Sequence, residues 1–193
     1  MAIQAKVVNK IIPASATVSS IVSFTGVGFT PKVVWLFWCG RSNATDANGR
    51  ASHARGQGFA TGTSNRGAIA SSSVDTANPT ECDSYVTNAA CVATITSGGT
   101  VGGLADFDSF NSDGFDLIID DQFPADLQVI AICLGGDSIT NQTVSNFTKA
   151  GAVGTYDAVT ALGYTPNFVA IINISRGNSG ADTHSYNSFG AAV

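Results

Sequence analysis

Apolar residues in this chain come in short runs broken by glycine, serine, threonine and asparagine. The longest run is Val33-Val34-Trp35-Leu36-Phe37-Trp38-Cys39, entered through Gly28-Phe29-Thr30-Pro31-Lys32 and closed by Gly40. A run of this length is too short for a buried helix and fits a strand covered on both faces. Thr30 precedes a proline, which holds it extended and feeds the strand. Further strands are expected at residues 4–12, 17–24 and 126–134, with weaker candidates at 67–73, 85–87 and 91–96. Residues 104–107 and 114–119 flank Asn111-Ser112-Asp113-Gly114, and Asp-Gly between two β-prone runs predicts a hairpin. Residues 40–65 are rich in Gly, Asn, Ser and Arg and read as a long ordered excursion, with only 58–60 as a short strand. No window carries a capped helical period. The pattern predicts an all-β fold, a β-sandwich or jelly-roll-like arrangement.

The central stretch recurs. Gly163-Tyr164-Thr165-Pro166 leads into a second apolar run, 135 residues after the first. Aligning residues 16–41 on 151–176 without a gap matches Val18 with Val153, Thr25 with Thr160, Gly28 with Gly163, Thr30 with Thr165, Pro31 with Pro166, Val34 with Val169 and Arg41 with Arg176. That offset is too long for a solenoid unit and fits a duplicated domain. The expected organisation is a sandwich domain over residues 1–150, followed at 151–193 by a partial second copy, the opening strands of a repeated unit. Strand alternation then separates two faces. Val33, Trp35, Phe37 and Cys39 align with Phe168, Ala170, Ile172 and Ile174, apolar in both copies, so this side is expected to face the core. The other side aligns Trp38 with Asn173, which places Trp38 at or near a surface.

Composition narrows the setting. Of 193 residues, 44% are hydrophobic, enough for a real core, while only 12% are charged, about half the usual share. The polar surface must then be Ser, Thr, Asn and Gly, which suits tight packing against neighbours, or an extracellular or virion setting. A net charge of −5 and the absence of any Lys/Arg run argue against nucleic-acid binding. No apolar run is long enough to span a bilayer, and the N-terminal residues do not resemble a signal peptide. Cys39 and Cys133 lie in apolar runs and are expected to be buried; Cys82 and Cys91 flank a polar stretch. Four free thiols are expected, with a Cys82–Cys91 bridge as the alternative, since no pair has metal-site spacing.

Candidate chemistry is sparse. His53 and His184 are the only histidines, each in a polar segment at no useful spacing from a cysteine or carboxylate. Asp106, Asp108, Asn111 and Asp113 superficially resemble a calcium loop but lack its alternation and closing glutamate; hairpin chemistry accounts for them. The Gly-Gly pieces at 98–99, 102–103 and 135–136 lack the Lys-Ser/Thr of a phosphate cradle. Asn-x-Ser/Thr triplets at Asn43, Asn141, Asn146 and Asn173 are expected by chance in so Ser/Thr-rich a chain. No catalytic residue, cofactor or metal site is therefore expected, and the chain is read as a non-enzyme. Arg41, Arg50, Arg55 and Arg66 are either solvated loop arginines or a positive patch for an acidic partner. With Trp38, they form the expected contact surface; the alternative is that Trp38 is covered by another part of the same chain.

The Gly-[Phe/Tyr]-Thr-Pro entry at 28–31, the Asp113-Gly114-Phe115 hairpin, the strand ending in Leu134-Gly135-Gly136 and the return of the entry motif at 163–166 together carry a resemblance. Over roughly residues 16–176 the chain resembles β-sandwich structural proteins of tailed bacteriophage virions. The resemblance implies a capsid decoration or cement protein, or a collar or tail component. Such a protein is assembled in the host cytoplasm, packs as a homo-oligomer against the major capsid protein and other virion proteins, and binds neither nucleic acid nor membrane. The alternative is a glycan-binding sandwich module of a tail fibre or secreted protein.

Overall fold

A computed structural model describes residues 2–40, 53–74, 81–96, 99–145, 147, 159, 162–176 and 185–192. Among the described residues the elements are all strands: β1 (Gln4–Ile12), β2 (Ile21–Phe24), β3 (Pro31–Cys39), β4 (His53–Gly62), β5 (Asn65–Val74), β6 (Glu81–Thr87), β7 (Val92–Ile95), β8 (Val101–Asn111), β9 (Gly114–Asp121), β10 (Leu127–Gly135), β11 (Val169–Arg176) and β12 (Ser185–Ala192). The all-β expectation holds. A six-stranded sheet in the order β1-β10-β3-β4-β5-β6 faces a four-stranded sheet in the order β2-β9-β8-β7, and every pairing is antiparallel. Strands β3 to β6 form one meander and β7 to β9 another. β10 then returns to sit between β1 and β3.

The predicted hairpin is present, with β8 and β9 joined across Asn111 and Gly114. Its turn also holds a second turn in place. The Asp113 carboxylate accepts the backbone N–H of Gly26 (2.9 Å) and of Gly28 (2.7 Å), and the Asp113 carbonyl accepts that of Val27 (3.0 Å). Gly26 and Gly28 have φ of +83° and +81°, the left-handed region that glycine enters without penalty. Gly163 of the repeated motif has φ +75°, so both Gly-[Phe/Tyr]-Thr-Pro entries open on a glycine in the left-handed region.

The core lies between the two sheets. Val34, Leu36 and Trp38 of β3 are buried there with Val129, Ala131 and Cys133 of β10, opposite Val22 and Phe24 of β2 and Phe115, Leu117 and Ile119 of β9. Phe24 and Phe115 stack at 4.5 Å between ring centroids. This reverses the expected faces of β3: Trp38 is only 5% exposed, whereas Val33, Trp35 and Phe37 are half-buried on the outside of the sheet and Cys39 is exposed. Glycine decides the matter. A Cβ at Gly56 would collide with the Trp38 indole, and one at Gly58 with the Cys91 carbonyl oxygen. Both belong to β4, which pairs with β3 and places them on the same side as Trp38 and Leu36. The missing side chains make the room that the indole and the second sheet occupy. Gly56 and Gly58, which help make this part of the sequence look irregular, are therefore the signature of a strand closely approached by its neighbours; residues 41–52 of the expected excursion lie outside the described residues.

The sequence alignment misled on this point because it equated environments. β11 aligns with β3, but it lies outside the sandwich and pairs with β12, so Asn173 is exposed there for reasons that do not apply to Trp38.

Candidate interaction surface

The outer face of the six-stranded sheet is built in rows of directly opposed residues. One row runs Val7, Ile132, Trp35, Phe59 across β1, β10, β3 and β4. The next runs Asn9, Ile130, Phe37, Gln57, Ile69, Val86 from β1 to β6. A third runs Ile11, Gln128, Cys39, Arg55, Ser71, Ser84. Neighbouring strands lie about 4.8 Å apart, so the first row alone lays four apolar side chains over about 14 Å. The face grades from apolar rows to a polar one. Ile130 is 45% exposed and Val7 59%. The indole of Trp35 stacks on Phe59 (5.0 Å) and meets Phe37 at 4.7 Å. Trp35 Nε1, Gln57 Oε1 and Gln128 Oε1 are shielded from solvent without a hydrogen-bond partner among the described residues.

The C-terminal hairpin meets this face. Phe189 of β12 lies 4.7 Å from Trp35, ring to ring, and β11 runs against β5 and β6. Among the described residues β11 and β12 pair only with each other, so the hairpin adds no strand to either sheet.

The outer face of the four-stranded sheet is different in kind. It carries Asp106, Asp108 and Asp116, with Asp120 and Asp121 at its end. Burial, then the charges of Asp106 and Asp121, push the Asp120 carboxyl above its ordinary value. Among the described residues, no cluster of His, Cys, Asp or Glu is arranged to hold a metal ion.

The expected site residues separate. Trp38 is a core residue, so it is not available as a contact residue: β4 glycines and the second sheet enclose it. Arg66 is committed within the chain. Its Nε and Nη2 donate to Asp106 Oδ1 and Oδ2, both at 2.7 Å, and Nη2 also donates to the Ala89 carbonyl at 3.0 Å. The hydrogen bonds to Asp106 raise the Arg66 pKa above its ordinary value, and the pair ties β5 of one sheet to β8 of the other. Arg55 is exposed on the polar row of the outer sheet face, beside Cys39. Arg41, Arg50 and His184 lie outside the described residues, as does the side chain of His53.

All four cysteines are free thiols. Cys39, expected to be buried, is exposed because it shares the outer face with Trp35; Cys133 is buried as expected. Burial pushes the Cys133 thiol up to about 11 and the Cys91 thiol well above its ordinary value, so neither is a thiolate near neutral pH.

A small apolar cavity of about 130 Å³ opens at one end of the sandwich between Ala54, Ile95, Phe123 and Leu127. Thr94, Thr96 and Asp126 also line it, but Asp126 accepts the Ala14 N–H and Thr96 meets Thr100, so those two are already engaged within the chain. No family model, curated protein or solved structure matches this chain.

The residues that sequence reasoning missed as surface are Val33, Trp35, Phe37 and Phe59. One signal for them was present: the paired glycines of β4, which mark the opposite side of the sheet as the closely packed one.

Proposed function

We propose that this chain is a structural subunit that works by packing, with the outer face of the six-stranded sheet as its contact surface. The observation that carries the reading is the apolar row Val7, Ile132, Trp35, Phe59 beside exposed Ile130, on a sheet whose other face already fills the core. Contiguous apolar surface of this kind marks contact with another protein. Beyond the row of Ile130 lies a more polar row that contains Gln128, Arg55, Ser71 and Ser84, the arrangement of an interface with an apolar centre and a polar rim. The low charge, 12% of residues, supports a surface made for burial.

The setting follows from the sequence resemblance: a capsid decoration or cement protein of a tailed bacteriophage, packing as a homo-oligomer on the major capsid protein and acting without catalysis. Many modest contacts, repeated over a shell, add to firm attachment. The glycan-binding alternative gains nothing from Trp35, whose ring already has three aromatic neighbours within 5.0 Å.

Ile130→Arg tests the reading. Ile130 is half exposed, so the variant is expected to fold, and its charge would sit in the middle of the contact surface. Light scattering and binding to purified particles are expected to show loss of self-association and of particle attachment. A variant that associates and attaches like the wild type would sink the reading.

A further inference from the structure

We propose that the β11–β12 hairpin is an exchanged arm: in the assembled protein it docks on the outer sheet face of a second copy of this chain, with Phe189 of each copy on Trp35 of the other. The inference rests on the packing reading above and names its occupant.

Three observations carry it. The hairpin is a separate two-stranded sheet, so its docking breaks no strand pairing and costs only side-chain contacts when it leaves. Isolated two-stranded hairpins are marginal in water and need a surface to pack on. The surface it needs is the one it touches, because Phe189 meets Trp35 at 4.7 Å in the centre of the apolar row. Docking within one chain nevertheless leaves a surplus of apolar surface. Phe189 remains 49% exposed despite that contact, Phe168 is 55% exposed and Ile171 43%, while Ile130 and Val7 of the sheet stay uncovered. Exchange itself buries the same surface as docking within one chain; what it adds is a second copy held alongside, so that the uncovered Val7, Ile130, Phe168 and Ile171 of the two copies can meet. By two-fold symmetry, the arm that leaves is replaced by an identical arm.

Connectivity permits it. Residues 136–168 separate β10 from β11. A chain of that length reaches about 100 Å when extended, well beyond the width of a small domain. Exchange therefore needs no change in either the sandwich or the hairpin, only a choice of which copy's face the hairpin meets.

The experiment uses the full chain with the photo-crosslinking residue benzoylphenylalanine in place of Phe189. Heavy-isotope-labelled and unlabelled protein are mixed in equal amounts, unfolded, refolded together and irradiated. Light scattering is run on the wild type in parallel. The expected result is a dimer or higher oligomer in which residue 189 links to the peptide containing Trp35, with about half of the links joining heavy to light chains. Links found only within one label would overturn the exchange, as would links from residue 189 to peptides elsewhere in the chain. If the wild type is nonetheless oligomeric, and Ile130→Arg dissociates it, the packing reading stands while the exchange fails. A monomeric wild type that attaches to no particle overturns both. A Trp35→Ala variant provides an independent check: it is expected to abolish the link to that peptide and weaken association about tenfold or more, and unchanged association would count against the arm as the contact.

Discussion

Arg66 and Asp106 form a two-point ion pair, with Nε–Oδ1 and Nη2–Oδ2 both at 2.7 Å, that fastens the two sheets together at one end of the sandwich. The side chains are 20% and 15% exposed, so the pair is largely withdrawn from water. Removing one partner leaves the other poorly solvated and unpaired, which costs more than the pair itself contributes. Asp106→Asn and Arg66→Ala are each expected to lower stability by about 2 kcal/mol in urea unfolding. The double variant should cost clearly less than the sum of the two. Strict additivity would show that the two residues act separately.

Trp38 is predicted to be the most costly aromatic to remove from β3. Trp38→Ala deletes a buried indole and leaves a cavity, at about 3–5 kcal/mol. Gly56→Ala is expected to destabilise as well, because the new methyl occupies the space of the Trp38 ring. Trp35→Ala, on the half-buried outer face, should cost less stability than Trp38→Ala in the same assay. The reverse order would return the core to the other side of the strand.

Asp113 makes stability depend on acid. Its carboxylate accepts two backbone N–H groups, from Gly26 and Gly28, and those bonds lower its pKa below the ordinary 3.8. A carboxyl group whose folded pKa is depressed stabilises the fold above its unfolded pKa, and that contribution fades as pH falls through the folded value. The difference in melting temperature between wild type and Asp113→Ala is therefore expected to be full at pH 6 and to shrink below about pH 4. A difference that does not change between those values would mean that the carboxylate charge plays no part in holding the turn.

Thiol labelling should separate the cysteines by face. Cys39 is exposed on the outer sheet face, while Cys91 and Cys133 are buried and held as neutral thiols. An aromatic disulfide reagent at pH 8 is expected to label Cys39 rapidly in native protein and to reach Cys91 and Cys133 only at the rate of unfolding. Peptide mapping by mass spectrometry checks the order; early labelling of Cys133 would place β10 the other way round.

Much of this architecture was legible in the chain itself. The all-β class, the β8–β9 hairpin around Asp113-Gly114, the central strand β3 and the apolar strand β10 rest on local causes: β-branched and aromatic runs, turn residues and a fixed proline. These act over a few residues, so the sequence determines them. The side of β3 that faces the core was not legible, because Val33 to Cys39 is apolar on both sides and alternation has nothing to distinguish. Contacts distant in sequence made that choice, through the gaps left by Gly56 and Gly58 and the second sheet that closes over Trp38. The same holds for Arg66, whose role depends on Asp106 of the other sheet, and for Trp35, whose contact with Phe189 exists only once β12 has folded back. Local chemistry set the strands and turns; packing between segments far apart in the chain decided which faces are buried and which remain exposed.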